Sequence, residues 1–488
     1  MTSRRSGLGA LVAVCALVVS CSSGTQAPVA ELGPELADKV TIDGVYGHLG
    51  KFQEIADAND GNRADGSPGY QASVDYVAQL LRDKGFDVQT PEFQRLSGSE
   101  GGKPSLTVAG RQFRVDQASL LLTTPPGGLK AITLRPRRPA GCTAADYGDV
   151  SVAKAIAVVD DAGCSIVTKQ RVAVAEGAVG MLVVSQASPS RPVGAAPTLF
   201  SPGYYHDLTV PVGVIDPAAD AALRRTESPV TLVLDNRPVM TTSRNVVAQT
   251  RTGDARNVVM VGAHLDSVRS GPGINDNGSG VATVLETAVQ LGGEPQTANA
   301  VRFTFWGAEE VSMDGSKTYL RSLSKEQLDD IALYLNFDMV GSPNPGYFTD
   351  DGDQSTQTGP VAPVPDGSAG IERTLAARLN TAGVRPADMP LTRTTDYGPF
   401  LAAGIPVGGL TTGSSQLKTE VQARLWGGQA GVAFDPNYHT PRDDIDNVDR
   451  RALAIMASSA AFAIGTYAQS IDGVNGVPAR DERDRSAP

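Results

Sequence analysis

The stretch 258–292, VVMVGAHLDSVRSGPGINDNGSGVATVLETAVQLG, decides the fold. It opens with VVMVGA (258–263), an apolar, β-branched run of strand length. A Gly- and Ser-rich turn follows, and then SGVATVLETAVQLG reads as a helix. Two more short apolar runs come after it, VRFTFW (301–306) and IALYLNF (331–337). Strand, helix and strand with buried runs predict an α/β domain, its sheet mixed but mostly parallel, with helices on both faces. Open sheets of this kind hold their sites beyond the carboxyl ends of the strands. The polar residues stand there: His264 after the first run, Asp276 in the turn GINDNGSG, Glu309 and Glu310 after VRFTFW, and Asp338 after IALYLNF. His439, in NYHTP, completes the set.

Imidazole and carboxylate donors without thiolates suit a hard or borderline divalent metal, with zinc the leading expectation. Asp276 is read as bridging two ions, His264 and Asp338 holding one, Glu310 and His439 the other. Glu309 is left over as a carboxylate beside a metal-activated water, where a hydrolase places its general base. The competing reading is ordinary packing, since a lone buried His or Asp is more often a core or capping residue. However, the chain has four histidines and two fall inside this constellation. The pair Glu309–Glu310 follows an alternating apolar run, where a charge is costly unless paired or liganded. Six such positions together outweigh packing.

These residues resemble peptidase family M28, the co-catalytic dizinc aminopeptidases, in their Streptomyces-type secreted form. The resemblance lies in GNRADGSPGYQASVDYV (61–77), the segment 262–288, RFTFWGAEEVSMDGSKTYL (302–320), YLNFDMVGSPNPGYF (334–348), GIPVGGLTTG (404–413) and RLWGGQAGVAFDPNYHTPRDDIDNV (424–448). It implies a zinc exopeptidase fold, two Zn²⁺ per chain, and removal of N-terminal residues from peptides with a free amine. It also implies Asp266 as the carboxylate that fixes the His264 tautomer, and Tyr438 as a phenol stabilising the oxyanion. Arg393 and Thr411 are the substrate-binding candidates. Here the sequence departs from the family, which has its Arg at the place of Thr394 and an apolar residue at the place of Thr411. A Cys pair that flanks the last His in relatives is replaced by Asn437 and Arg442, so the His439 loop needs another brace, with Pro436 and Pro441 as candidates. A calcium ligand of relatives falls on Ala454, so calcium is not expected. A glutaminyl cyclase with one zinc, a carboxypeptidase, and a non-catalytic receptor that has lost its ligands are the alternatives.

The remaining sequence gives context. At 488 residues, two domains are the default expectation. Arg4 and Arg5 precede an apolar run that ends at Val18-Val19-Ser20-Cys21. The run is too short to span a membrane and reads as a signal peptide (1–20) with a bacterial lipobox. Lipidation at Cys21 and anchoring to the outer face of the cell membrane follow, the alternative being a plain signal with an incidental Cys. Without residues 1–20, 40 Lys and Arg face 53 Asp and Glu, a net −13. Such acidity, without basic runs, argues against nucleic acid as a partner. A monomer is expected. Residues 21–38 read as a tether and 475–488 as a disordered tail. With Cys15 in the signal and Cys21 lipidated, Cys142 and Cys164 are expected to pair as a disulfide. From 114 to 240 the pattern changes, and KAIAVVDDAGC, AVAEGAVGMLVVS and LTVPVGVID resemble a β-rich protease-associated domain inserted between two parts of the peptidase domain, 39–113 and 241–474. His206 in this insert is read as a surface residue, and the insert's expected role is to cover or shape the cleft.

Overall fold

Alternation along the buried strands determines which layer each side chain meets. The computed structural model describes residues 1–2, 31–185, 208–357, 363–473 and 476–488. Cys21, the signal segment and His206 lie outside them. Eight strands form the main sheet: β1 (Asp87–Gln89), β2 (Val246–Gln249), β3 (Asp254–His264), β4 (Asn299–Trp306), β5 (Ile331–Phe337), β6 (Phe348–Asp350), β7 (Ala387–Met389) and β8 (Val407–Thr411). Their spatial order is β1-β2-β4-β3-β5-β8-β6-β7. The central four, β4, β3, β5 and β8, run parallel. The outer pairings β1–β2, β2–β4 and β8–β6 are antiparallel. Val259, Val261, Leu333 and Leu335 face one layer, with helices Ile42–Asp57, Gly280–Leu291 and Arg450–Gln469. Val258, Met260 and Tyr334 face the other, with Leu320 and Phe400 from helices Asp314–Ser322 and Tyr397–Ala402. The mixed, mostly parallel sheet with helices on both faces is as the apolar runs predicted.

The inserted domain has a five-stranded sheet and a four-stranded sheet. Strands Ile156–Asp160, Gly180–Val184 and Val212–Ile215 are parallel neighbours. Cys142 and Cys164 are joined by a disulfide. The expected boundary at 114 is too late. Strands Ser105–Val108 and Arg111–Arg114 pair with each other, and the first also pairs with Val230–Val233. Residues 105–113 therefore belong to the insert, because Leu106, Val108 and Phe113 bury their side chains in its core. A two-stranded ribbon, Glu92–Gly101 with Asn236–Arg244, links insert and peptidase. Buried Asp65 holds the base of this ribbon by accepting from Arg95 and Ser243.

Two terminal expectations also need correction. Residues expected as tether include helix Leu32–Lys39, which packs on Arg450–Gln469 and buries Leu36. The tail from 476 onward is not free of the body. Arg480 donates to Asp330 (2.6 Å), and buried Arg483 donates to the Asp329 carbonyl (2.8 Å) and to Asn257 (2.7 Å). A segment rich in Arg and Asp reads as disordered in isolation, but here its cations meet acceptors around Asp329 and Asp330.

Candidate active site

Three adjacent parallel strands deliver most of the site. His264 ends β3, Glu309 and Glu310 follow β4, and Asp338 follows β5. Asp276 comes from the turn before helix Gly280–Leu291, and His439 from a loop whose backbone there is left-handed at φ 59°. His264 Nε2 lies 3.3 Å from Asp276 Oδ1 and 3.4 Å from Asp338 Oδ1. His439 Nε2 lies 3.1 Å from Asp276 Oδ2 and 3.1 Å from Glu310 Oε2. The two oxygens of Asp276 thus face two different triplets, each with its ligand atoms within 4.8 Å of one another. Glu310 Oε1, Asp338 Oδ1 and His439 Nε2 are nevertheless buried without a hydrogen-bond partner. Buried polar atoms that approach closely without bonding to each other are aimed at a shared point, and divalent cations fit that need. The donor set can hold two such ions with Asp276 between them.

Charge balance leads the same way. Six carboxyls, those of Asp266, Asp276, Glu309, Glu310, Asp338 and Asp396, crowd around two imidazoles. Burial pushes the Glu309 carboxyl well above the usual range, and Asp396, Asp338 and Glu310 add to this against the opposing pull of His264. Burial raises Asp396 to about 7. Burial would lower His439, but its contacts with Asp276 and Glu310 carry it up to about 10. Burial opposes ionisation of Asp276, yet His264 and His439 draw it down to about 2. Asp276 is held ionised by the two imidazoles it lies between.

The bracing groups were largely missed in the sequence. Asp266 was expected to orient His264 through its carboxylate, but His264 Nδ1 lies 3.1 Å from the Asp266 carbonyl and 3.8 Å from its carboxylate. The carboxylate instead accepts the backbone N–H groups of Glu309 (3.2 Å) and Glu310 (3.4 Å), which fixes the acidic pair. The prolines of the His439 loop are not its main brace either. Asp443 accepts from the N–H groups of Asn275 (2.8 Å) and Asp276 (2.9 Å). Asn447 donates to both Asp443 and Asp435, and Asn437 donates to Asn447. This network ties the His439 loop to the Asp276 turn. Thr395 donates to Asp338 Oδ2 (3.0 Å).

Arg63 is fully buried and donates to three carbonyls: Leu265 (2.6 Å), Pro272 (3.0 Å) and Gly273 (2.7 Å). It therefore clips the end of β3, which carries His264, to the turn that carries Asp276. Arg63→Met leaves these carbonyls unpaired and should cost about 3 kcal/mol or more. Urea unfolding should show a lower midpoint, and an unchanged midpoint would contradict the clip.

A cleft of about 530 Å³ opens over the constellation. Its lining includes Met339, Asp350, Arg393, Thr411 and Tyr438. Tyr438 stacks on His439 with centroids 3.8 Å apart. Arg393 is exposed, and Thr411 bonds the Met339 carbonyl at 3.3 Å. Among the described residues, none from the inserted domain lines the cleft, so the expectation that it covers the site gains no contact there.

Residues 245–464 match Peptidase family M28, and residues 130–223 match the PA domain. The probable lipoprotein aminopeptidase LpqL of Mycobacterium tuberculosis is 47% identical over 463 residues, covering 93% of this chain and 91% of that protein. An aminopeptidase of Pseudomonas aeruginosa is 38% identical, covering 86% and 79% respectively. The aminopeptidase from Aneurinibacillus sp. strain AM-1 shares the fold, with a TM-score of 0.56 and 24% identity, covering 90% of this chain and 96% of that one. With a relative this similar along nearly its whole length, and with the site on the matched segment, the chain belongs to peptidase family M28.

Proposed function

We infer that the protein is a zinc-dependent aminopeptidase that binds two ions and uses Glu309 as its general base. The observation that carries this reading is the split of Asp276, one oxygen toward His264 and Asp338 and the other toward His439 and Glu310. When bound, the ions supply Lewis acidity for activating water and polarising the scissile carbonyl. The chain does the rest. Glu309 sits in neither ligand triplet, lines the cleft, and accepts no hydrogen bond at its carboxylate from the described residues. Its raised proton affinity suits it to take a proton from the attacking water and pass it to the leaving amine. Tyr438, stacked on the His439 ring and lining the cleft, is the phenol suited to donate to the oxyanion. Glu309 and Asp338 make the inner cleft acidic, which favours a free ammonium over an internal peptide bond. Arg393 at the mouth suits the carbonyl-rich continuation of the peptide, and Thr411 lines the wall beside Met339.

An unblocked leucyl arylamide should therefore be hydrolysed, and its N-acetyl form should lose at least about a hundredfold in kcat/KM, because acetylation removes the charge that the acidic cleft holds. Equal cleavage of the two would end the aminopeptidase reading.

The lipobox at Cys21, taken with the lipoprotein named among the relatives, supports export and anchoring through a lipid on that thiol. Cys21→Ser should move the protein from the detergent phase to the aqueous phase or block its processing. Unchanged detergent partition would refute the anchor.

A further inference from the structure

The cleft contains one acidic side chain that the mechanism leaves unused. Asp350 ends β6 and lines the cleft, yet it is 6% exposed. Register fixes its depth. Phe348 pairs with Thr411 and Thr349 with Leu410, so Asp350 stands level with Gly409 of β8, and Gly409 pairs with Asn336 of β5. Asn336, Gly409 and Asp350 thus form a row across three strands. Asn336 precedes Asp338 by two residues, about 7 Å along the strand, so the row lies below the ligands as the floor of the cleft. The Asp350 carboxylate lies close over the Gly409 backbone, since a Cβ there would stand 2.7 Å from Asp350 Oδ2 and 2.1 Å from the Asn336 carbonyl.

Among the described residues, nothing compensates this carboxyl: it has no hydrogen bond and no ion pair. Burial pushes it to about 7, and Asp338 and Glu372, the charges felt there, have its own sign. A carboxyl buried without a partner is costly unless something from outside supplies a donor or a cation. Met339, Met389, Leu410 and the Tyr397 ring form an apolar side of the same cleft that suits methylenes, while Thr392, Thr395 and the exposed Arg393 line the rest of it. An apolar side with an uncompensated acid at its end suits a long side chain tipped with a cation.

We propose that Asp350 is the specificity-determining residue of the cleft and selects peptides whose N-terminal residue is lysine or arginine. This rests on the aminopeptidase reading above. With the α-amine held near Glu309 and Asp338, the side chain runs along the apolar side and its ammonium or guanidinium meets Asp350. Norleucine has the same stem without the charge and should lie along the apolar side but leave Asp350 unpaired.

The test uses the full-length, zinc-supplemented protein with lysyl, arginyl and norleucyl arylamides. The wild type should favour lysyl over norleucyl at least tenfold in kcat/KM, and Asp350→Asn and Asp350→Leu should each reduce that ratio tenfold or more. Direct titration of wild type and variants with free lysine and norleucine, which have no bond to hydrolyse, gives the same comparison without turnover. A wild type that cleaves norleucyl substrate as well as lysyl would overturn the proposal while leaving the aminopeptidase reading intact, as would a ratio unmoved in folded variants. Failure to cleave any of the three would instead sink the aminopeptidase reading, and the proposal with it.

Discussion

Glu309→Gln should lower kcat roughly a thousandfold while the protein keeps its metal. The two halves of this expectation come from separate observations. Metal retention follows because neither ligand triplet includes Glu309. The loss of turnover follows because an amide is close to isosteric with the carboxyl but cannot accept and return a proton. KM should change little by comparison, since the substituted group still fills the same space at the cleft wall. Metal content measured beside steady-state kinetics checks both halves. Near wild-type turnover would remove Glu309 as the base, and loss of metal would make it a ligand instead.

Asp276→Ala should have the larger structural consequence. Its carboxylate faces both imidazoles, at 3.3 Å from His264 and 3.1 Å from His439, and they draw it down to about 2 against the effect of burial. Without it, each remaining triplet is reduced to a pair, and two ions at short separation lose the charge that lay between them. Dialysed Asp276→Ala should retain at most one equivalent of metal, with activity down by three orders of magnitude or more. Full metal content in this variant would contradict the bridging role. Asp443→Asn gives a milder version of the same perturbation, because Asp443 is not in either ligand triplet and reaches Asp276 through the backbone N–H groups of Asn275 and Asp276.

Much of this site was legible because its residues follow strand ends. His264, Glu309, Glu310 and Asp338 each come after an apolar run whose length and alternation mark a buried strand, and neighbouring parallel strands bring their ends together. His439 is further away in sequence, in the loop NYHTP, and entered the set by its donor type rather than by periodicity. The bracing groups were illegible for a different reason. Arg63 acts on backbone carbonyls, which leave no side-chain partner to recognise in sequence. Asp435, Asn437, Asp443 and Asn447 lie in a polar segment that reads as an ordinary loop until folding sets it against Asn275. Asp266 showed its importance but not its partners, because the register of the Glu309–Glu310 turn decides which N–H groups its carboxylate meets. Asp350 was hidden by position: it ends a three-residue strand, too short for alternation to reveal which face it takes. The boundary of the inserted domain failed similarly, since Ser105–Val108 and Arg111–Arg114 carry only four residues each.

Native mass spectrometry of the full-length protein, titrated with Zn²⁺ after chelation, tests the central claim most directly. The account predicts saturation at two ions per chain in the wild type and in Glu309→Gln, with Asp276→Ala unable to exceed one. Saturation of the wild type at a single ion, or two ions held by Asp276→Ala, would contradict it.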